Sequence, residues 1–317
     1  MKKYSLYIRL ALTVILLYLV YSTIDKKVLV TSIQNSRGIY LVIGVFVFIL
    51  SNITGGLQWF FLLRSQKLRI KLSRVMRFYL LGAFFNNFMP GNIGGDVVKS
   101  FKMIKEKSNA EIVISSIVWD RVVSFIILYF FSLVSGFILF GRLLFLYLLG
   151  FSILLMFVLS RFILKGRLGA SLLKWVKKIP HNNIRTFAHD FLKSFKKYIM
   201  ASKGIIYFYC LSCLTQFLKI FIQVLVSLSF NYGISLTEIY FFIPIIGIVS
   251  ALPVSINGIG FREFLGKYFS MLINKNAAII SFFLSVGNII IMLGNLPGVV
   301  FMLRIKKITN RAKSERT

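Results

Sequence analysis

Residues 89–96 read MPGNIGGD, and they break an otherwise apolar stretch that runs over residues 78–103. A second break, LPVSINGIG at residues 252–260, divides the apolar stretch 239–270 in the same way. Proline lacks the helical hydrogen-bond donor and glycine weakens a helix interior, so both breaks interrupt helices. Backbone freed from helical hydrogen bonds at membrane depth is costly unless it lines a polar cavity. In a membrane protein, the two breaks therefore predict a polar site.

The composition predicts a membrane protein. Hydrophobic residues make up 57% of the 317 residues, charged residues make up 15%, and the mean hydropathy is +0.81. A soluble domain with a hydrated surface does not carry that balance. Apolar runs of about 20 residues recur along the chain, and each can cross a hydrocarbon core of about 30 Å. We therefore predict an all-α polytopic bundle, with residues 1–317 forming a single integral membrane domain.

Six apolar runs are predicted to be full membrane spans. They lie at residues 5–24, 39–63, 112–139, 143–162, 204–230 and 277–303. The first run follows Lys2 and Lys3 and resembles a signal peptide, but no convincing small-residue cleavage site precedes Asp25. We therefore interpret it as a retained span.

The basic residues predict how the two broken stretches are placed. Lys and Arg number 39 against 9 Asp and Glu, and most of them gather at residues 64–77, 99–107, 161–203 and 304–316. If both broken stretches crossed straight through, the first two clusters would lie on opposite faces, which the positive-inside rule disfavours. Re-entrant helical hairpins at the two breaks instead place all four clusters and both termini in the cytoplasm. The hairpins then enter from opposite faces, as in an inverted repeat.

A basic segment at residues 165–203 lies between the two halves of the chain. It mixes Lys and Arg with Leu, Phe and Trp, which predicts amphipathic helices in the anionic inner interface of the membrane. A dock for a partner, such as an envelope-synthesis enzyme, is the alternative. The net charge of +30 is distributed between apolar runs, so anionic lipid head groups are the expected partners and nucleic acid is not.

The first break has the residue types of an anion site. A helix is expected to restart near Gly95 with Asp96 in its first turn, and a helix N-terminus offers free N–H donors to a phosphate or carboxylate. Lys99, one turn further on, either pairs with Asp96 or faces the same anion. The candidate binding residues here are Asn86, Asn87, Pro90, Gly91, Gly94, Gly95, Asp96 and Lys99.

The second break repeats this pattern. Arg262 in the restarting helix can hold a phosphate bidentately, and Glu263 beside it can balance the charge when no ligand is present. The alternative is that the charged residues of the two breaks pair with one another and hold the hairpins together. The candidate binding residues here are Ser255, Asn257, Gly258, Gly260, Arg262 and Glu263.

Two predicted spans carry further polar residues. Asp120 and Arg121 are adjacent and point about 100° apart on a helix, so each needs a partner elsewhere. Arg121 is expected either to face the hairpins and assist with an anionic head group or to form a structural ion pair. Gln216, Lys219 and Gln223 share one helix face, which either lines a polar groove or bonds a neighbouring helix.

None of the sequence motifs of soluble enzymes that we considered is complete in this chain. The stretch at residues 260–267 lacks the glycine spacing and the final Ser or Thr of a P-loop, and no GxSxG motif is present. No catalytic residue, cofactor or metal site is therefore predicted. Without an ATP site, transport would be passive or driven by an ion gradient, with Asp96, Asp120 and Glu263 as candidate proton carriers.

The chain resembles a known family at these same residues. The matching stretches, in chain order, are NNFMPGNIGGDVVKSF at residues 86–101, WDRVVSF at residues 119–125 and LPVSINGIGFRE at residues 252–263. They are similar to elements of the transmembrane region of lysylphosphatidylglycerol synthase, the membrane part of the multiple peptide resistance factor. Proteins of this kind are also described as flippase-like integral membrane proteins. The resemblance covers nearly the whole chain.

The resemblance implies lipid handling. In larger members, this membrane region moves an aminoacylated phospholipid between leaflets, and a separate cytoplasmic domain attaches the amino acid from aminoacyl-tRNA. This chain is expected to lack that domain, because it ends soon after its last predicted span. The expected function is a flippase for phospholipid, aminoacyl-phosphatidylglycerol or polyprenyl phosphate in a bacterial or archaeal plasma membrane. A phosphatidylglycerol lysyltransferase and a non-transporting scaffold are the alternatives.

Overall fold

The computed structural model of the protein describes only part of the chain. The described residues are 33–34, 36–89, 94–106, 109–141, 145–146, 148, 150, 152, 182–199, 205–251 and 260–302. Within them the regular structure is helical and contains no strand, which confirms the prediction of an all-α protein. The helices are α1 (Gly38–Ser65), α2 (Leu72–Asn86), α3 (Gly94–Lys105), α4 (Ala110–Phe140), α5 (Asn182–Ile199), α6 (Ile205–Phe230), α7 (Leu236–Val249), α8 (Phe261–Leu272) and α9 (Ala277–Gly294).

Four helical stretches in the described residues are long and apolar enough to cross a membrane. They are α1, α4, α6 and the stretch Ala277–Met302, which begins with α9. Each matches one of the predicted spans to within two residues at both ends. The predicted span 5–24 lies outside the described residues, as does most of the predicted span 143–162.

Helices α2 and α3 fold back on each other across the first break. A Cβ atom added at Gly82 or at Gly95 would collide with the carbonyl oxygen of the other residue, so the two backbones touch. At the other end of the pair, Arg74 Nε lies 2.9 Å from Glu106 Oε2. Because both ends of the pair meet, α2 and α3 form a tight helical hairpin. Its first arm begins at Leu72, six residues before the predicted start at Phe78.

Helices α7 and α8 flank the second break and are more splayed. The ring of Phe269 on α8 lies 6.2 Å from that of Phe241 and 5.9 Å from that of Phe242, both on α7. Otherwise the two arms pack chiefly on different helices: α7 on α4, and α8 on α9. The Ser132 hydroxyl of α4 donates to the Phe241 carbonyl of α7 at 2.9 Å, which fixes the first arm.

The largest buried cluster lies between α1, α6, α7 and α9. It includes Phe48, Ile220, Val226, Ile239, Phe242, Ile280 and Phe283. Helix α6 packs along α1, and the Thr215 hydroxyl donates to the Thr54 hydroxyl at 2.9 Å in their interface. This packing directs the polar face of α6 towards the hairpins.

Helix α5 belongs to the basic segment predicted to be amphipathic; residues 165–181 and 200–203 lie outside the described residues. Its apolar face packs on α4, where the ring of Trp119 lies 5.2 Å from that of Phe195. The Gln66 side chain after α1 donates to the Ser194 carbonyl at 3.0 Å. Its basic residues Arg185, Lys193 and Lys197 are exposed. An amphipathic helix is therefore present, with part of its apolar face covered by the protein itself.

Candidate functional site

A cavity of about 220 Å³ lies between the two broken stretches. Helices α2 and α3 form one wall, α7 and the first turn of α8 form another, and α1, α4, α6 and α9 supply the rest. Its charged and amide-bearing lining residues are Asn52, Asn86, Asp96, Lys99, Asp120, Arg121, Gln216, Lys219, Gln223, Arg262, Asn288 and Asn295. Predicted residues of the first break, of α4 and of the second break thus meet at one place.

Asp96 in the first turn of α3 is held between two cations. Its Oδ1 lies 2.8 Å from Lys99 Nζ, and its Oδ2 lies 2.6 Å from Arg121 Nη2 and 2.8 Å from Arg121 Nε. Asp96 is only 8% exposed. Removing one partner of such a buried pair costs about 3–5 kcal/mol, because the other charge is left uncompensated. The cluster therefore locks the first hairpin to α4.

Lys99 is also enclosed by aromatic rings. Its Nζ lies 5.0 Å from the ring centroid of Trp59 and 5.0 Å from that of Tyr79. The Trp59 indole is fixed in turn, because its Nε1 donates to Ser116 Oγ at 3.0 Å. A cation over an aromatic face is stabilised by the ring quadrupole. Lys99 therefore pairs with Asp96, which is the first of the two roles that the sequence left open for it. It also contacts the two aromatic rings.

Asp120 and Arg121 have different partners, as their adjacent positions on α4 require. Arg121 reaches Asp96, whereas Asp120 accepts a hydrogen bond from the Gln58 side-chain amide of α1. Gln58 is 3% exposed, and its Oε1 has no hydrogen-bond partner among the described residues. Asp120 lines the cavity. The two adjacent charges therefore connect α4 to two different helices.

Glu263 caps the N-terminus of α8. Gly260 has φ of +80°, a conformation that glycine adopts readily, and its N–H donates to Glu263 Oε2 at 2.7 Å. Glu263 Oε1 accepts from Asn288 Nδ2 at 3.0 Å and from Ser285 Oγ at 3.1 Å. With three donors on one buried carboxylate, Glu263 holds α8 to α9.

Arg262 is directed into the cavity beside this cap. Its Nη1 donates to Asn288 Oδ1 at 2.7 Å, and its buried Nε has no partner among the described residues. A buried guanidinium with an unused donor is costly unless a ligand or water accepts from it. Arg262 is therefore suited to hold an anion in the cavity.

A polar face of α6 also lines the cavity. Gln216, Lys219 and Gln223 all contribute, which confirms that these residues share a face and favours the groove over helix bonding. Lys219 forms no hydrogen bond or salt bridge with the described residues. Its ammonium is thus a second cation with donors available to a ligand.

An asparagine network connects the first hairpin to α1 and to the end of α9. Asn295 Nδ2 donates to Asn87 Oδ1 at 2.8 Å, and Asn52 Nδ2 donates to Asn295 Oδ1 at 3.1 Å. Asn87 Nδ2 completes the connection by donating to the Met292 carbonyl at 3.0 Å. Asn87 thus fixes the hairpin tip and does not line the cavity.

The remaining predicted residues of the breaks are placed as follows. The Gly95 N–H donates to Asn86 Oδ1 at 2.7 Å, so this donor of the α3 N-terminus is already bonded within the hairpin. Gly94 lies beneath the Met89 side chain. Pro90, Gly91, Ser255, Asn257 and Gly258 lie outside the described residues.

Among the polar lining residues, sequence reasoning missed Asn52, Tyr79 and Ser124. Asn52 lies in the apolar span α1, and a lone amide within such a span is the kind of signal that could have identified it. Tyr79 on α2 resembled one more apolar residue in a broken stretch, and nothing in the sequence distinguished it.

Positive charge prevails in the cavity. Among the described residues, the cationic side chains of Lys99, Arg121, Lys219 and Arg262 line it, against the two carboxylates of Asp96 and Asp120. Charges in a site of low dielectric constant act strongly on one another. The cavity can therefore stabilise an anion that approaches Lys219 and Arg262.

Helical architecture, membrane-length apolar helices and a buried charged cavity together define a polytopic membrane protein with an internal polar site. The chain belongs to the lysylphosphatidylglycerol synthase TM region family, whose model matches residues 6–296. That match includes all three stretches on which the resemblance was based. No curated protein and no solved structure matches the chain.

Proposed function

We propose that the protein is a flippase that moves a lipid with an anionic, phosphate-bearing head group between the leaflets of the cell membrane. The observation that carries this proposal is the excess of cations in the cavity, where Lys219 and the Arg262 Nε have no hydrogen-bond partner among the described residues. Phosphate oxygens are strong acceptors for both groups. Membership of the family agrees with a lipid as the ligand.

The size of the cavity supports a head group as its occupant. About 220 Å³ is below the range of about 300–1,000 Å³ that pockets for whole drug-sized ligands occupy. The head group therefore enters between the hairpins, and the acyl or prenyl chains stay in the bilayer. Lys219 and Arg262 both bind the phosphate, while Asp96 keeps Lys99 and Arg121 in place.

The proposed motion follows the inverted-repeat arrangement. The two hairpins enter the membrane from opposite faces, both termini lie in the cytoplasm, and the site opens alternately to each leaflet. The first hairpin carries basic residues at its open end, including Arg74, which agrees with an entry from the cytoplasm.

Lipid exchange by reconstituted protein tests this proposal. The purified protein is placed in phosphatidylcholine vesicles with fluorescent phosphatidylglycerol, and the accessible fraction is followed by dithionite quenching. We expect Lys219→Gln and Arg262→Gln each to slow exchange by about tenfold to a hundredfold, the effect of losing one charged hydrogen bond. The matched control is Lys267→Gln, because Lys267 is exposed on the same helix as Arg262. Unchanged exchange in the Lys219→Gln, Arg262→Gln double variant would exclude this cavity as the transport site.

The two alternatives lead to other outcomes. A phosphatidylglycerol lysyltransferase would produce new aminoacylated lipid in extracts of a strain that expresses this protein without a synthase. A scaffold would lose its effect on the cell when the basic face of α5 is neutralised and would keep it in the Arg262→Gln variant.

A further inference from the structure

The three carboxylates at the site differ in their partners. Asp96 is held by Lys99 and Arg121, and Glu263 accepts hydrogen bonds from a backbone N–H, a serine and an asparagine. Asp120 accepts from Gln58 and forms no salt bridge with the described residues. Protonating Asp96 would break two ion pairs, whereas protonating Asp120 would disturb a single amide contact. Asp120 is therefore the carboxylate that can change its charge at the lowest cost.

Gln58 is suited to both charge states of Asp120. With Asp120 ionised, the amide Nε2 donates to it, as in the structure. With Asp120 protonated, a turn of the amide would present Oε1, which now has no partner among the described residues, to accept the new O–H. An amide carries donors and an acceptor, so it can satisfy either form. The same buried side chain thus compensates the gain and the loss of a proton.

The surroundings connect this proton to the charge of the cavity. The charged groups that face Asp120 are Lys99 and Asp96 of α3, Arg121 of α4 and Lys219 of α6, and Tyr79 of α2 is the nearby titratable hydroxyl. Asp120 is one of two carboxylates among the described residues that line the cavity. Its protonation therefore removes one of the negative charges that oppose an anionic ligand.

We propose that Asp120 and Gln58 form a proton-binding site through which a proton and an anionic lipid head group move together in the same direction. This inference rests on the proposed function. Bound proton and bound anion favour each other, and by linkage the effect is reciprocal. A head group with one negative charge, moved with one proton, transfers no net charge across the membrane.

Leaflet distributions under two separate driving forces test the coupling. Wild-type protein is placed in phosphatidylcholine vesicles with fluorescent phosphatidylglycerol, and either a pH gradient or a potassium–valinomycin voltage is imposed. We expect the lipid to accumulate in the leaflet that faces the alkaline side, up to about tenfold per pH unit for one proton per lipid. Voltage alone should leave the distribution unchanged.

Asp120→Asn should reverse this pattern, because an uncoupled anion responds to voltage and not to the pH gradient. Each response is compared with the variant's own exchange rate at equal pH. The matched control is Asp190→Asn, since Asp190 is an exposed aspartate on α5, and it should respond as wild type does. Wild-type exchange that follows voltage and ignores the pH gradient would overturn the coupling and leave the flippase standing. No exchange of phosphatidylglycerol at all would contradict both.

A second readout needs no transport. Purified wild-type protein in a weakly buffered detergent solution should take up protons when phosphatidylglycerol is added, as a pH indicator dye reports. Asp120→Asn should bind the lipid without that uptake, while Asp190→Asn should keep it. Equal uptake by wild type and Asp120→Asn would show that another group carries the proton.

Discussion

The two hairpins that flank the cavity are built differently. The first is closed along its length: α2 and α3 touch at Gly82 and Gly95, and Arg74 pairs with Glu106 at its open end. The second is splayed, and its arms pack on α4 and on α9. A unit with a closed interior moves as one body, whereas arms fixed to different neighbours can separate. The arms of the first hairpin are therefore expected to stay together, whereas the arms of the second can move apart.

The largest expected difference lies between the two carboxylates that open α3 and α8. Asp96→Asn leaves Lys99 and Arg121 without their anion, and we expect it to lower the free energy of unfolding by about 3–5 kcal/mol. Glu263→Gln weakens hydrogen bonds from uncharged donors and should cost about 1–3 kcal/mol. Denaturant titration in detergent measures both. A smaller effect for Asp96→Asn would mean that the first hairpin is not locked by charge.

A smaller difference is expected for glycines of the two hairpins. Gly95→Ala places a methyl group against the Gly82 carbonyl, and overpacking of this kind costs about 1–3 kcal/mol. Gly247→Ala on α7 is the matched control, because its methyl group would lie 3.7 Å from Leu128 Cδ1, an ordinary contact. Thermal unfolding should show a clear loss for Gly95→Ala and little change for Gly247→Ala. Equal losses would remove the contrast between a closed and a splayed hairpin.

The smallest effect is expected at the open end of the first hairpin. The Arg74 and Glu106 side chains are 48% and 39% exposed, and exposed pairs contribute about 0–1 kcal/mol. Arg74→Ala should therefore change the free energy of unfolding by no more than about 1 kcal/mol, and added salt should reduce even that. A loss comparable with that of Asp96→Asn would place the main lock of the hairpin at its open end.

Hydropathy predicted the long spans because a helix that crosses a bilayer must be apolar along its length. It placed the start of the first hairpin too late. Residues 72–77 read LSRVMR. Because of the two arginines, the mean hydropathy of this stretch is too low for an apolar run, although Val75 is fully buried. A helix whose first turns are amphipathic has a low mean hydropathy there, so hydropathy alone underestimates its length.

The sequence indicated candidate residues at the breaks, but it did not indicate their hydrogen-bond and ion-pair partners. Residue types at the breaks identified Asp96 and Arg262 because charged groups at membrane depth are rare. Partners depend on tertiary packing: Gln58 is 62 residues from Asp120, and Asn87 is 208 residues from Asn295. Helical periodicity assigns such residues to a face of their own helix, and it does not determine which neighbour that face meets.

Helix α9 bonds to both hairpins at once. Asn288 contacts Arg262 and Glu263 beside the second break, and two turns further on Asn295 contacts the tip of the first. A displacement of either hairpin is therefore transmitted to α9. Moving one hairpin without the other would break buried hydrogen bonds. In the proposed alternating-access cycle, a state open to both leaflets would require these hydrogen bonds to break, and it is therefore disfavoured.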